Sequence, residues 1–127
     1  MITDENFIHL GKTEWAIMKI CWKFKKASAR VIFDESLKEA NRSYLTVRTI
    51  LDRLVSKKCL KREQSNSLWM YIPVITEEKL KWSAIEDFTN TVLENTICPI
   101  LMYAVKNKKI NSAEISSLKK LIEGMED

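Results

Sequence analysis

Only two glycines, Gly11 and Gly124, and two prolines, Pro73 and Pro99, punctuate the 127 residues of this chain. An all-β sandwich or barrel needs many turns built on such residues, and here they are missing. Helices joined by short polar turns are the remaining solution. Apolar residues make up 46% of the chain, enough to fill a core, so global disorder is excluded. The length suits one domain, or one domain with a small appendage.

Charge is distributed unevenly. Residues 1–75 hold 14 Lys/Arg against 8 Asp/Glu, a net of +6, whereas residues 76–127 hold 7 against 9, a net of −2. A basic part facing a polyanion, followed by a part with a different task, fits this division; a solvated surface with chance asymmetry fits it equally. Three separated cysteines, Cys21, Cys59 and Cys98, and a single histidine, His9, form no CxxC, CxC or Cys/His ligand set. The expectation is three reduced, mostly buried thiols in a cytoplasmic protein with no metal and no cofactor. No apolar run reaches the length of a membrane span, and the N-terminus MITDENFIHL has no cationic targeting region.

Apolar periodicity sets out the elements. Trp15, Met18 and Trp22 share one side of a helix predicted from about Lys12 to Lys23, with both tryptophans as core anchors. Ala29, Ile32, Phe33, Leu37 and Ala40 predict a second helix to about Ala40, with Ser28 as N-cap. Val47, Ile50, Leu51, Leu54 and Val55 fill the i, i+3, i+4, i+7, i+8 template and predict a third from about Tyr44 to Lys57. Its opposite face carries Leu45, Thr49, Asp52, Arg53 and Ser56, flanked by Thr46 and Arg48. The runs Leu60 to Glu63 and Leu68 to Ile72 predict a β-hairpin that Pro73 ends, with Trp69 and Tyr71 assigned to the core. Three helices and a basic hairpin are the order of a winged helix-turn-helix in a mainly α protein.

From Thr76 the character changes. A helix opened by Glu77 and Glu78 carries Ile85, Phe88 and Val92. The segment Ile97 to Val105, with Ile100, Leu101, Tyr103 and Val105, is apolar nearly all round, and a last helix turns Leu118, Leu121 and Ile122 inward. About 50 residues in three helices make a poor core on their own. A second copy would cover them. Residues 1–75 are therefore expected to be a winged-helix DNA-binding domain and 76–127 a helical dimerisation region, with the ten apolar residues from Ile85 to Ile122 just named at the homodimer interface.

Catalytic motifs are absent from the sequence. There is no Gly-rich phosphate loop and no Ser/His/Asp set, and the adjacent pairs Asp34/Glu35 and Glu77/Glu78 diverge by about 100° on a helix. A reader of double-stranded DNA is better supplied. Thr46, Arg48, Thr49 and Arg53 offer donors for base edges and phosphates at the start of the third helix. Leu45 either touches a thymine methyl or packs on the preceding turn. Asp52 either pairs with Arg48 or Arg53 or accepts from a cytosine amine. Lys57, Lys58, Lys61 and Arg62 cluster between helix and wing, where phosphates would lie. The rival from another class is a winged-helix adaptor whose basic face meets an acidic protein.

Glu14-Trp15 with Met18 and Trp22, Ala27-Ser28-Ala29, the run SYLTVRTILDRL from Ser43 to Leu54, Lys57-Lys58, Tyr71, and INSAEISSLKKLI from Ile110 to Ile122 together resemble the penicillinase-repressor family. This is the BlaI/MecI group, with its copper-responsive CopY relatives. The resemblance covers nearly the whole chain. It implies a dimeric winged-helix repressor on a palindromic operator, controlling β-lactam resistance genes and released by a membrane sensor-protease. It also places Ser43, Thr46, Arg48 and Thr49 at DNA-contact positions. The sequence departs from the family pattern at Leu45, where relatives commonly carry a polar or basic residue. It departs again at Tyr103–Ala104, the bond matching the family's Asn–Phe cleavage site, and it lacks the CxC pair of the copper branch.

Overall fold

The computed structural model describes residues 8–125. In order they form α1 (Lys12–Phe24), β1 (Ala27–Ser28), α2 (Ala29–Ser36), α3 (Tyr44–Ser56), β2 (Leu60–Ser65), β3 (Leu68–Pro73), α4 (Glu77–Thr91), α5 (Cys98–Lys106) and α6 (Ser112–Glu123). The apolar stripes account for the first part. Val47, Ile50, Leu51 and Leu54 of α3 are all buried, in one core with Ile17, Met18 and Cys21 of α1, Ile32 of α2, Tyr71 of β3 and Leu80 of α4. Ser43 opens α3 by accepting the Thr46 N–H at 3.1 Å, which satisfies a donor that has no partner inside the helix. Trp15 and Trp22 lie partly buried against the core, and the Trp22 indole donates to the Ile75 carbonyl at 2.9 Å.

α2 ends at Ser36, short of the Ala40 that its apolar spacing predicts. The fully buried Ser36 hydroxyl donates to the Phe33 carbonyl at 2.7 Å, sharing it with the Leu37 N–H at 3.2 Å, and beyond this point the Lys38 and Glu39 N–H groups turn to carbonyls three residues back, so the chain leaves the helix in a turn. Leu37, predicted inward, is exposed.

The sheet has the order β1-β3-β2, antiparallel throughout. The predicted hairpin is there, and it is longer than the sequence pattern indicates. Pairing continues through Gln64↔Trp69 and Ser65↔Leu68, leaving only Asn66 and Ser67 in the turn, at φ 50° and 68°. Two left-handed residues give the turn a twist that matches the flanking strands. β1 has two residues, too few to carry a periodicity, and it pairs Ala27 with Tyr71 and Ser28 with Met70.

Two compact units divide the chain, one ending at Asp87 and the other beginning at Phe88. The first reaches past residue 75 because Leu80 is fully buried in its core. In the second, Pro99 occupies the first turn of α5, where its missing N–H leaves no bond unmade. Asn111 and Glu114 cap α6 reciprocally at 2.8 and 3.1 Å. Neither α5 nor α6 has a buried residue in the single chain. Ile100, Leu101, Tyr103, Val105, Leu121 and Ile122 are exposed, as are Ile85, Phe88 and Val92 of α4, and Leu118 is half-buried. Of the cysteines expected to be mostly buried, Cys21 and Cys59 are, and burial pushes the Cys21 thiol up to about 12; Cys98 is exposed.

Candidate nucleic-acid interface

The burial of one side of α3 leaves the other to solvent. Leu45 is 74% exposed, so it does not pack on the preceding turn. Thr46, Thr49 and Arg53 are exposed beside it, as is Ser43. Their hydroxyls are locally ordered: Ser43 Oγ and Thr46 Oγ1 lie 2.8 Å apart, and Thr49 Oγ1 donates to the Leu45 carbonyl at 3.0 Å. That fixes the rotamers and leaves the hydroxyl oxygens acceptor capacity to spare. Arg48 is half-buried, and its Nε is without a partner among the described residues. A hydrogen bond with Tyr44, then the nearby Tyr71 and Asp52, stabilises its charge and raises its pKa.

The wing joins α3 through Asp52. Residues opposite one another in an antiparallel pair share a face, so the face that buries Leu60 and Tyr71 at the base of the hairpin carries Arg62 and Trp69 toward its tip. Trp69 is exposed there, not in the core as predicted, because the hairpin runs beyond the helices that would cover it. The Arg62 guanidinium sits over its ring, 5.0 Å from the centroid. Asp52 Oδ1 accepts from the Tyr71 hydroxyl at 3.3 Å and lies 3.9 Å from Arg62 Nη1. The direct ion pair is thus with Arg62 and not with the Arg48 or Arg53 that sequence proximity favours. Burial first, then the Asp52 charge, holds the Tyr71 pKa above its ordinary value, which keeps the hydroxyl a donor.

The lysines divide. Lys57, predicted to meet a phosphate, turns to the protein: its Nζ donates to Glu14 Oε1 at 2.8 Å and to the His9 carbonyl at 2.6 Å. Glu14 is buried, and its Oε1 also accepts the Gly11 N–H at 2.8 Å. Burial alone would raise the Glu14 pKa, but the hydrogen bonds from Lys57 and Gly11, with the charges of Lys57 and Arg53, bring it below its ordinary value. Lys58 is exposed, and Lys61 pairs with Glu63 at 3.3 Å on the solvated face of the wing. Sequence reasoning misses Glu14 and Tyr44 as supports of this surface, since neither spacing nor charge runs mark them. Among the described residues, no three His, Cys, Asp or Glu gather to hold a metal ion, and no helix is long and apolar enough to cross a membrane.

Three helices, a helix-turn-helix pair with its second helix outward, and a hairpin on the same surface define a winged helix-turn-helix protein carrying further C-terminal helices. The chain belongs to the penicillinase repressor family, whose model matches residues 10–124. It is 26% identical over 119 residues to the methicillin resistance regulatory protein MecI of Mammaliicoccus sciuri, covering 94% of this chain and 97% of that one. It is 29% identical over 115 residues to the penicillinase repressor of Staphylococcus aureus, covering 91% of each. Among solved structures it resembles the DNA-binding domain of the repressor BlaI, with a TM-score of 0.52 and 26% identity over 57% of this chain and 88% of that one. It also resembles the monomeric form of Bacillus licheniformis BlaI in complex with the blaP half-operator, with a TM-score of 0.50 and 27% identity over 55% and 85% of the two chains.

Proposed function

We propose that this protein is a cytoplasmic, homodimeric transcriptional repressor of β-lactam resistance genes that occludes a palindromic operator and uses no cofactor. In this reading residues 1–75 bind DNA and residues 76–127 dimerise. α3 enters the major groove with Leu45, Thr46, Arg48 and Thr49 toward base edges, capped and oriented by Ser43. Arg53, Lys61 and Arg62 meet flanking phosphates, while Lys57 supports α3 from behind. A membrane sensor-protease is the derepressing partner.

The observation that carries the reading is the two-sidedness of α3. Its apolar stripe is fully engaged in the core, and its small, hydroxyl-bearing and basic stripe stands exposed beside the wing. Its similarity to the methicillin resistance regulatory protein MecI, to a penicillinase repressor and to BlaI on a half-operator supports the same function.

Selection from a randomised duplex pool, followed by salt titration on the enriched site, is the test. The expected result is a two-fold-symmetric site whose affinity falls steeply and log-linearly with salt, as counterion release from contacted phosphates requires. A pool in which nothing is enriched would sink the repressor reading and favour the adaptor with an acidic protein partner.

A further inference from the structure

We propose that Asp52 is a specificity-determining residue of this surface: its carboxylate, held on the outward stripe of α3 by Tyr71 and Arg62, accepts a hydrogen bond from the N4 amine of a cytosine in the major groove. The inference rests on the repressor reading above and sharpens it.

Leu45, Arg48, Thr49 and Asp52 stand at i, i+3, i+4 and i+7, so they lie along one side of the helix. A helix that lays Leu45 and Thr49 toward the floor of a groove brings Asp52 to the same floor, one turn further on. A carboxylate facing DNA is repelled by phosphates, and within the duplex only a donor on a base edge offsets that cost. The major groove offers two such donors, the N6 amine of adenine and the N4 amine of cytosine. Adenine sets its N7 acceptor next to the amine and so opposes a carboxylate, whereas cytosine presents only the donor.

The local structure prepares the side chain for this contact. Both the Tyr71 hydroxyl and Arg62 Nη1 address the same oxygen, Oδ1, at 3.3 and 3.9 Å, and the Asp52 side chain remains 51% exposed. The carboxylate therefore has a fixed direction and acceptor capacity to spare. Arg62, itself set by the Trp69 ring, and Arg48 offset its charge against the phosphates on either side.

The test applies duplex selection to the full chain and to its Asp52→Asn and Tyr71→Phe variants. Each is then titrated by fluorescence anisotropy against the enriched duplex with every C·G pair replaced in turn. For the wild type, one cytosine per half-site is expected to be required, with a loss of about tenfold or more on replacement. Asp52→Asn reduces that discrimination to less than about twofold and admits adenine, whose N6 and N7 suit an amide, while the profile elsewhere is unchanged. Tyr71→Phe, which removes one of the two groups that orient the carboxylate and leaves the carboxylate itself, keeps the cytosine as the preferred base with a smaller loss on its replacement. If Asp52→Asn weakens all duplexes alike with an unchanged profile, or changes nothing, Asp52 only props the wing and the inference fails while the repressor reading stands. If the wild type enriches no two-fold site, it is the repressor reading that fails.

Discussion

Glu14 and Lys57 are 43 residues apart, and no sequence pattern joins them. Each reads convincingly as something else, Glu14 as a first-turn acid and Lys57 as a member of a basic run. Only the packing of α1 on α3 brings the first turn of one to the residue that caps the end of the other. Breaking such a pair leaves a polar group under-satisfied, which costs about 1–3 kcal/mol when the group is buried and less when, as for Lys57, it is partly wet. Glu14→Gln should therefore lower stability at neutral pH by about 1–2 kcal/mol in urea unfolding. The sign of the pH dependence follows from the depressed Glu14 pKa. Its contribution is fully present above the ordinary carboxylate value of 4.5 and is lost as pH falls through the lower folded value. Wild type and Glu14→Gln are thus expected to converge in stability as the medium is acidified below pH 4.5, and a gap that stays constant down to acid unfolding would contradict this account. Asp52 follows the same pattern at the DNA surface. Its neighbours in sequence suggest Arg48 or Arg53, but the hairpin delivers Arg62.

Among the elements, α3 is legible because five apolar residues fit one template and nothing competes with it. α2 is over-read because a buried serine that bonds its own turn looks, in sequence, like any polar residue of a helix. The hairpin is legible as a hairpin, but Leu68 to Ile72 is apolar on both faces, and that conceals which aromatic is covered: Tyr71 is buried at the base while Trp69 reaches the solvent-exposed end. The turn offers a measurable consequence. Asn66 and Ser67 both occupy positive φ, a conformation that costs a residue with a Cβ about 1 kcal/mol and glycine almost nothing. Ser67→Gly should stabilise the protein by about 0.5 kcal/mol after the greater flexibility of unfolded glycine is deducted, visible as a small rise in Tm. A fall in Tm would show that the Ser67 side chain holds the turn in some other way.

At the scale of the whole molecule, the first unit encloses a core and the second does not. α5 and α6 are capped and regular, yet their leucines, isoleucines and Tyr103 remain open to solvent in one chain. Composition already implies this, since so apolar a segment has to be covered and the chain has too few residues to cover it alone. We expect Leu101→Asp to give a monomer in sedimentation experiments at concentrations where the wild type is dimeric, and to weaken binding of the two-fold site more than tenfold by removing the second, tethered contact. A Leu101→Asp protein that stays dimeric would place the interface elsewhere. The two-sidedness of α3 also has a consequence for how such a repressor can diversify. Val47, Ile50, Leu51 and Leu54 write the fold, Leu45, Thr49 and Asp52 face the other way, and the two sets share no position. The address and the envelope are spelled in separate letters of one thirteen-residue word, so a different operator can be adopted by rewriting the address without unsealing the envelope.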